Sequence, residues 1–286
     1  MQLNEMVGAA ATAAAPTPVE VAPSMLGGRV AVVTGAGTGL GRATTTALRR
    51  AGFRCHLVGR RAGPLAGAVA GIGGGEELLA TSADISTEEG RRLVVERTLE
   101  AFGRIDVLVN NAGIAHRAPL LAQSETEWRE VFATNVDAAF FLALAVIPSM
   151  RDQGYGRIVN ISSVYGSLAM NGTLYGSMFP MTSDGPVRQP SYHASKGALI
   201  NLTRDLAAAV ACWGITVNCV SPGMFLTEQS EAVVDDLVIA RLAEMTPVGR
   251  LGDPAEIGDA VAFLASERAG FITGVNLPVD GGWSLW

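Results

Sequence analysis

The chain has 286 residues, 49% of them hydrophobic and only 17% charged, with 34 glycines, enough for one α/β domain to bury a sizeable core. Its net charge of −6, without any basic run, argues against a nucleic-acid or anionic-membrane surface. Three cysteines without CxxC spacing (Cys55, Cys212, Cys219) and only three histidines argue against a disulfide framework or a metal site, and point to a reducing compartment, the cytoplasm.

Residues 1–25 are rich in Ala and Pro, and their only charges are acidic. They lack the basic start of a secretory signal, and they are expected to form a mobile tail ahead of a domain over 26–286. RVAVVTG (29–35) reads as a strand and Gly39 to about Ala51 as a helix. RCHLVG (54–59) is the next strand, followed by a helix near 63–71 and a turn at Gly73-Gly74-Gly75. Ser86-Thr-Glu-Glu89 has the pattern of a capping box, opening a helix to about Phe102. IDVLVNNAG (105–113) reads as a buried strand, and a second box at Ser124–Glu127 opens a long helix to near Met150. Within it AAFFLALAVI (138–147), flanked by Asp137 and Arg151, is shorter than a membrane span and is expected to be buried. GRIVNISS (156–163), a helix from near Ser191, GITVNCVSPG (214–223), a capped helix at Asp253-Pro254-Ala-Glu256 and GVNLPVDGG (274–282) complete the chain. Alternating strands and helices without repeat or linker predict a single three-layer α/β domain, a doubly wound parallel sheet of Rossmann type.

Three stretches carry chemistry. Thr34-Gly35-Ala-Gly37-Thr38-Gly39-Leu40-Gly41 joins the first strand to the first helix, where a glycine turn lets backbone N–H groups and the helix N-terminus approach a pyrophosphate. Tyr192 and Lys196 are four apart on a helix, so an ammonium beside the phenol is expected to favour phenolate and suit Tyr192 to general acid/base work. Ser163 is placed to polarise the same substrate oxygen. The second strand ends Val58-Gly59-Arg60-Arg61, without an acid. An acid there would hold the 2′-hydroxyl of NAD, whereas arginine suits a 2′-phosphate, so NADP is favoured and NAD stays possible.

The TGxxxGxG turn with Asn110-Asn111-Ala112-Gly113, Asp84, Asn135, Ser163, Tyr192-xxx-Lys196, Pro222-Gly223 and Thr227 resembles the short-chain dehydrogenase/reductase family, single-domain branch, over about residues 27–286. The resemblance implies hydride transfer between a nicotinamide cofactor and a secondary alcohol or ketone, with no metal. It casts Asn135, Ser163, Tyr192 and Lys196 as catalytic, Lys196 also gripping the nicotinamide ribose and Asn135 fixing a relay water. The cofactor contacts it implies are Gly35, Thr38, Gly39, Leu40 and Gly41 at the pyrophosphate, and Arg60, Arg61, Asp84 and Ile85 around the adenosine half. Asn111, Ala112, Gly113, Tyr192, Lys196, Pro222, Gly223, Phe225 and Thr227 complete the set. A homo-oligomer, with a tetramer favoured, is also implied. The Asp280-Gly-Gly-Trp283 ending resembles relatives acting on sugar acids or polyols. The alternative is a 3-oxoacyl-(acyl-carrier-protein) reductase, against which stands the lack of a basic residue around Trp213. A non-catalytic nucleotide sensor is a further alternative, disfavoured because all four catalytic candidates are retained.

One feature departs from the family pattern. Ser163 and Tyr192 are 29 positions apart rather than about a dozen. Tyr175 has the shorter spacing, but Phe179 stands where its lysine partner belongs, so Tyr192 is preferred. The additional segment, about 167–190, is expected to reach the substrate mouth as a lid or wall, or else to pack on a neighbouring subunit. Tyr175, Met178 and Phe179 are its lid candidates. His116 and Arg117 border either the pocket or solvent, while His193, His56 and Cys55 read as structural. Trp283 and Trp286 read as packing residues or as neighbours of another subunit's site.

Overall fold

A computed structural model describes residues 28–227 and 235–285; the expectations for residues 1–25 and Trp286 lie outside them. The hydrophobic runs become the strands of a sheet covered on both faces, which is why they are continuous rather than alternating. β1 (Val30–Thr34) lies between β2 (Arg54–Gly59) and β4 (Val107–Asn110). Adding β3 (Leu78–Ser82), β6 (Gly156–Ile161), β9 (Ile215–Pro222) and β10 (Asn276–Val279), the sheet runs β10-β9-β6-β4-β1-β2-β3, parallel throughout. β3 is a strand beyond those expected: its sequence LLATS at the sheet edge is mostly only half-covered, which weakens its apolar signal. The chain winds outward in both directions from β1 and β4, so the strand order reverses between them, the place where such sheets bind ligands.

Alternate residues of each strand serve opposite layers. Ala31 and Val33 of β1 meet Leu48 of α1 (Gly39–Arg50), Leu65 of α2 (Ala62–Ile72) and Ile257, Val261 and Leu264 of α8 (Pro254–Ala265). Val32 faces Val94 of α3 (Glu88–Phe102), Leu142 and Val146 of α5 (Ala138–Asp152) and Leu206 of α6 (Pro190–Val210). α4 (Glu125–Phe132) and α7 (Asp236–Met245) are the remaining α-helices among the described residues.

Three local expectations change. Thr87, not Ser86, caps α3, its hydroxyl accepting from the Gly90 N–H at 3.0 Å, while Ser86 bonds Asp84. α4 and α5 join through a π-helical turn, Ala133–Asp137, and the run Glu125–Asp152 is long and apolar enough by composition to cross a membrane, with a mean hydropathy of 1.8 in its best window, of which 44% is buried inside the protein. Its 138–147 stretch is not wholly buried: Leu142, Ala143 and Val146 face the sheet, while Phe141 and Leu144 are 46% and 45% exposed. A helix apolar all round has only one side to offer its own core.

The additional segment is folded. After a 3₁₀ turn over Gly172–Met178 it forms a hairpin of β7 (Met181–Thr182) and β8 (Gly185–Arg188), and β8 pairs with β5 (Ala118–Pro119) in the loop after β4. The Leu121 N–H donates to Asp184 O at 3.0 Å, and Arg188 Nη1 donates to Met170 O at 2.9 Å. Arg241 of α7 reaches Thr173 O at 3.2 Å on the other side. The segment thus stands as a wall between the loop after β4 and α7.

Candidate active site

The carboxyl ends of β1, β2, β4, β6 and β9 open into a cleft of about 510 Å³. Every residue that the family resemblance casts as a cofactor contact borders it. Its floor is the glycine turn into α1. A Cβ on Gly41 would stand 2.2 Å from Gly35 O, and Gly35 has φ of +65°, so a side chain at either position would close or strain the cradle. α1 has no acidic residue in its first turn and Thr38 makes no side-chain cap bond to it, leaving a positive helix end toward the cleft. These features fit a dinucleotide pyrophosphate.

Asn111 holds the turn: its Nδ2 donates to Thr34 O at 2.8 Å. Thr34 Oγ1 in turn accepts from the N–H groups of Asn111 and Ala112, both at 3.0 Å. At the β2 end Arg60 and Arg61 line the cleft. The nearby Arg60 charge, after the Ser86 hydrogen bond, helps hold the Asp84 carboxyl below its usual range.

The long separation of Ser163 and Tyr192 closes in space. Ser163 Oγ accepts from Tyr165 N–H at 3.1 Å, opening a tight turn over Val164–Gly166. Gly166 lies so close to α6 that a Cβ would be 2.9 Å from the Lys196 carbonyl carbon. That contact seats Ser163 beside Tyr192, close enough for its hydroxyl to bear on the Tyr192 phenol. The 167–190 wall leaves this turn and returns at the start of α6.

The electrostatics correct the expected balance at Tyr192. Burial raises its phenol above the ordinary value and the Ser163 hydroxyl draws it partly back; Lys196 does not reverse that. Lys196 is itself buried, its Nζ donating to Ile161 O at 2.7 Å and lying 5.7 Å from the Tyr192 ring centre. Burial lowers its ammonium to about 8.

Asn135 sits in the π turn behind the cleft, buried and bonded on three sides. Its Oδ1 accepts from Ile114 N–H at 2.8 Å, and its Nδ2 donates to Ile114 O and Ser195 Oγ, both at 3.0 Å. Extra residues in a π turn re-aim side chains at functional sites.

Tyr175 meets the hydroxyl of Tyr165 and lies 3.3 Å from Met224 Sδ, with no lysine beside it. Phe179 packs edge-on to Tyr175 at 5.4 Å, and Arg117 lies 5.5 Å over Phe179. His116 is 3.3 Å from Glu130, and His193 Nδ1 bonds Gln189 O at 2.8 Å. Trp283 packs into the cluster beside Tyr192. The sequence around Trp213 supplies no basic residue of its own, but Arg151 of α5, paired with Asp152, lies 5.9 Å from its ring.

Sequence reasoning passed over the polar ladder behind the cleft. Asn110 Nδ2 donates to Asn160 Oδ1 and Asn160 Nδ2 to Thr203 Oγ1, each at 2.9 Å, while Ser162 Oγ donates to Lys196 O at 2.8 Å. The available signal was asparagine inside two otherwise apolar strands, where a buried amide must find partners.

Residues 35–284 match the family model described as enoyl-(acyl carrier protein) reductase. The chain is 36% identical over 257 residues to the 3-oxoacyl-[acyl-carrier-protein] reductase FabG of Vibrio cholerae, covering 90% of this chain and 98% of that protein. It is 37% identical to the Escherichia coli protein of the same name, covering 89% and 97%. The crystal structure of a "putative gluconate dehydrogenase" from Agrobacterium tumefaciens superposes with a TM-score of 0.79 at 32% identity, covering 90% of this chain and 96% of that one. By its sheet, its glycine cradle and these matches, the chain belongs to the short-chain dehydrogenase/reductase family of NAD(P)-dependent oxidoreductases acting on CH–OH groups.

Proposed function

We propose that this protein interconverts a secondary alcohol and its ketone on a small free substrate, a polyol or sugar acid being the favoured class, with NADP. The observation that carries the reading is the meeting of Ser163, Tyr192 and Lys196 at the mouth of one glycine-floored cleft. Arg60 and Arg61, at a strand end with no acid, favour the 2′-phosphate of NADP. The nicotinamide, when bound, supplies or accepts the hydride.

This chain's own residues handle the proton. In reduction, the Tyr192 hydroxyl donates its proton to the ketone oxygen as negative charge develops there, and Ser163 donates a hydrogen bond to that oxygen. The raised phenol keeps Tyr192 protonated and ready to act as the acid in this direction. Lys196, anchored on Ile161 O, supplies positive charge that stabilises the tyrosinate left behind and grips the ribose. Asn135 positions the 113–114 loop opposite Lys196 and supports the relay that returns the proton.

The second reading is a 3-oxoacyl-(acyl-carrier-protein) reductase. The curated relatives named so favour it; the wall over residues 167–190 favours the small substrate. The exposed apolar side of α5, with Phe141 and Leu144, supports a homo-oligomer.

The test is Tyr192→Phe assayed with NADPH. Turnover is expected to fall about a thousandfold, the scale of general acid catalysis, while NADPH binding followed by tryptophan quenching persists. Unchanged turnover would remove Tyr192 from the mechanism.

A further inference from the structure

Two further phenols stand by the reacting tyrosine, one of them supplied by the wall. Tyr165 follows Ser163 by two positions, and Tyr175 comes from the additional segment; their hydroxyls bond each other. Both lie within Coulombic reach of Tyr192 and pack in one cluster with it, together with Leu168, Phe179, Met224 and Trp283.

The two hydroxyls hold two protons, and one strong acceptor lies between them. If Tyr165 donates to Tyr175, the Tyr175 proton goes to the thioether of Met224 at 3.3 Å, a weak acceptor. If Tyr175 donates to Tyr165, the Tyr165 proton has no acceptor among the described residues. Either way a donor beside Tyr192, buried for Tyr165 and half-buried for Tyr175, is under-satisfied, and leaving such a group without a good partner is costly. A substrate oxygen would satisfy it. Burial raises both phenols, so the pair stays neutral and donating. The His193 ring packs on Tyr165 at 5.0 Å and on Tyr192 at 6.0 Å, and the Arg117 guanidinium is taken up over the Phe179 ring; two neutral hydroxyl donors are matched by a neutral oxygen.

We propose that the Tyr165–Tyr175 hydroxyl pair is a specificity element that donates a hydrogen bond to a second, neutral oxygen on the carbon next to the reacting carbonyl, while Phe179, Met224 and Trp283 enclose an apolar body. The favoured substrate class is therefore a compact α-hydroxyketone or its vicinal diol. The inference rests on the alcohol–ketone reading above and on Tyr192 as the proton donor.

The experiment compares reduction of cyclohexanone and 2-hydroxycyclohexanone by NADPH in the wild type, Tyr175→Phe and Met224→Leu. Wild type is expected to prefer the hydroxyketone. Tyr175→Phe, which keeps the ring packing, should lose about tenfold of that preference, the scale of one hydrogen bond, through KM for the hydroxyketone alone. Met224→Leu, which removes only the weak acceptor, should retain the preference. Equal loss on both ketones, an unchanged preference in Tyr175→Phe, or no preference in wild type would overturn the inference while leaving the alcohol–ketone reading intact. A wild type that binds NADPH but reduces neither ketone would overturn the substrate class, and turnover surviving in Tyr192→Phe would overturn the reading on which it rests. Unaltered NADPH affinity and melting temperature in Tyr175→Phe distinguish lost recognition from lost structure.

Discussion

His56 offers a stability test of the strand that presents Arg60. It lies in the middle of β2 with no exposure, its Nδ1 2.7 Å from Thr98 Oγ1 and its Nε2 2.7 Å from Thr81 Oγ1. The Thr98 hydroxyl gives its proton to Val94 O at 2.6 Å, so it must accept from the imidazole. That places the ring proton on Nδ1 and makes Nε2 the acceptor of the Thr81 hydroxyl. Protonating Nε2 therefore breaks a satisfied bond and buries a charge, and burial lowers the imidazole from 6.5 to about 4, with the Arg97 charge assisting. Above pH 6.5 the group is neutral folded and unfolded and contributes nothing to the pH dependence. As pH falls from 6.5 toward 4 the unfolded chain takes up the proton first and stability drops. The full loss, about 3 kcal/mol, is reached below pH 4. Urea unfolding at pH 7 and pH 4.5 measures it, and His56→Gln should flatten the difference by most of that amount. An equal pH dependence in wild type and His56→Gln, or an NMR titration of His56 centred near 6.5, would refute the reasoning.

Three further outcomes follow from the cleft and the helix surface. Arg60→Ala should weaken NADPH binding about tenfold, the scale of a charge-assisted hydrogen bond, while NADH binding changes little; parallel titrations check this. Gly41→Ala drives a Cβ to 2.2 Å from Gly35 O and should cost about 1–3 kcal/mol of stability, with NADPH affinity falling as well, both read by thermal melts with and without cofactor. Phe141→Glu with Leu144→Glu places charges on the exposed side of α5 and should lower the sedimenting mass without altering the far-ultraviolet spectrum.

Much of this protein was legible in the chain. β1, with its five buried residues, and the glycine turn after it announce themselves because a parallel strand covered on both faces must be apolar throughout, and because a backbone that approaches its neighbour this closely excludes a Cβ. Tyr192 and Lys196 were legible because a helix brings residues four apart onto one face. β3 was not, since an edge strand that is half solvated has no strong pattern. Asn135 was legible through the family resemblance alone, because its placement depends on one π turn within an otherwise regular helix.

The sequence by itself determined what is local: the strand–helix alternation, the cradle, the tyrosine–lysine pair and the arginines at the end of β2. Tertiary structure decided what depends on contacts between distant segments. It closed the 29 positions between Ser163 and Tyr192 through Gly166 on α6, and it turned the additional segment into a wall by pairing β8 with β5. Burial also raises the Tyr192 phenol against the pull expected of Lys196, whose Nζ donates to Ile161 O. Periodicity and spacing record which face a residue shares with its neighbours; the dielectric around it depends on everything that folds over it.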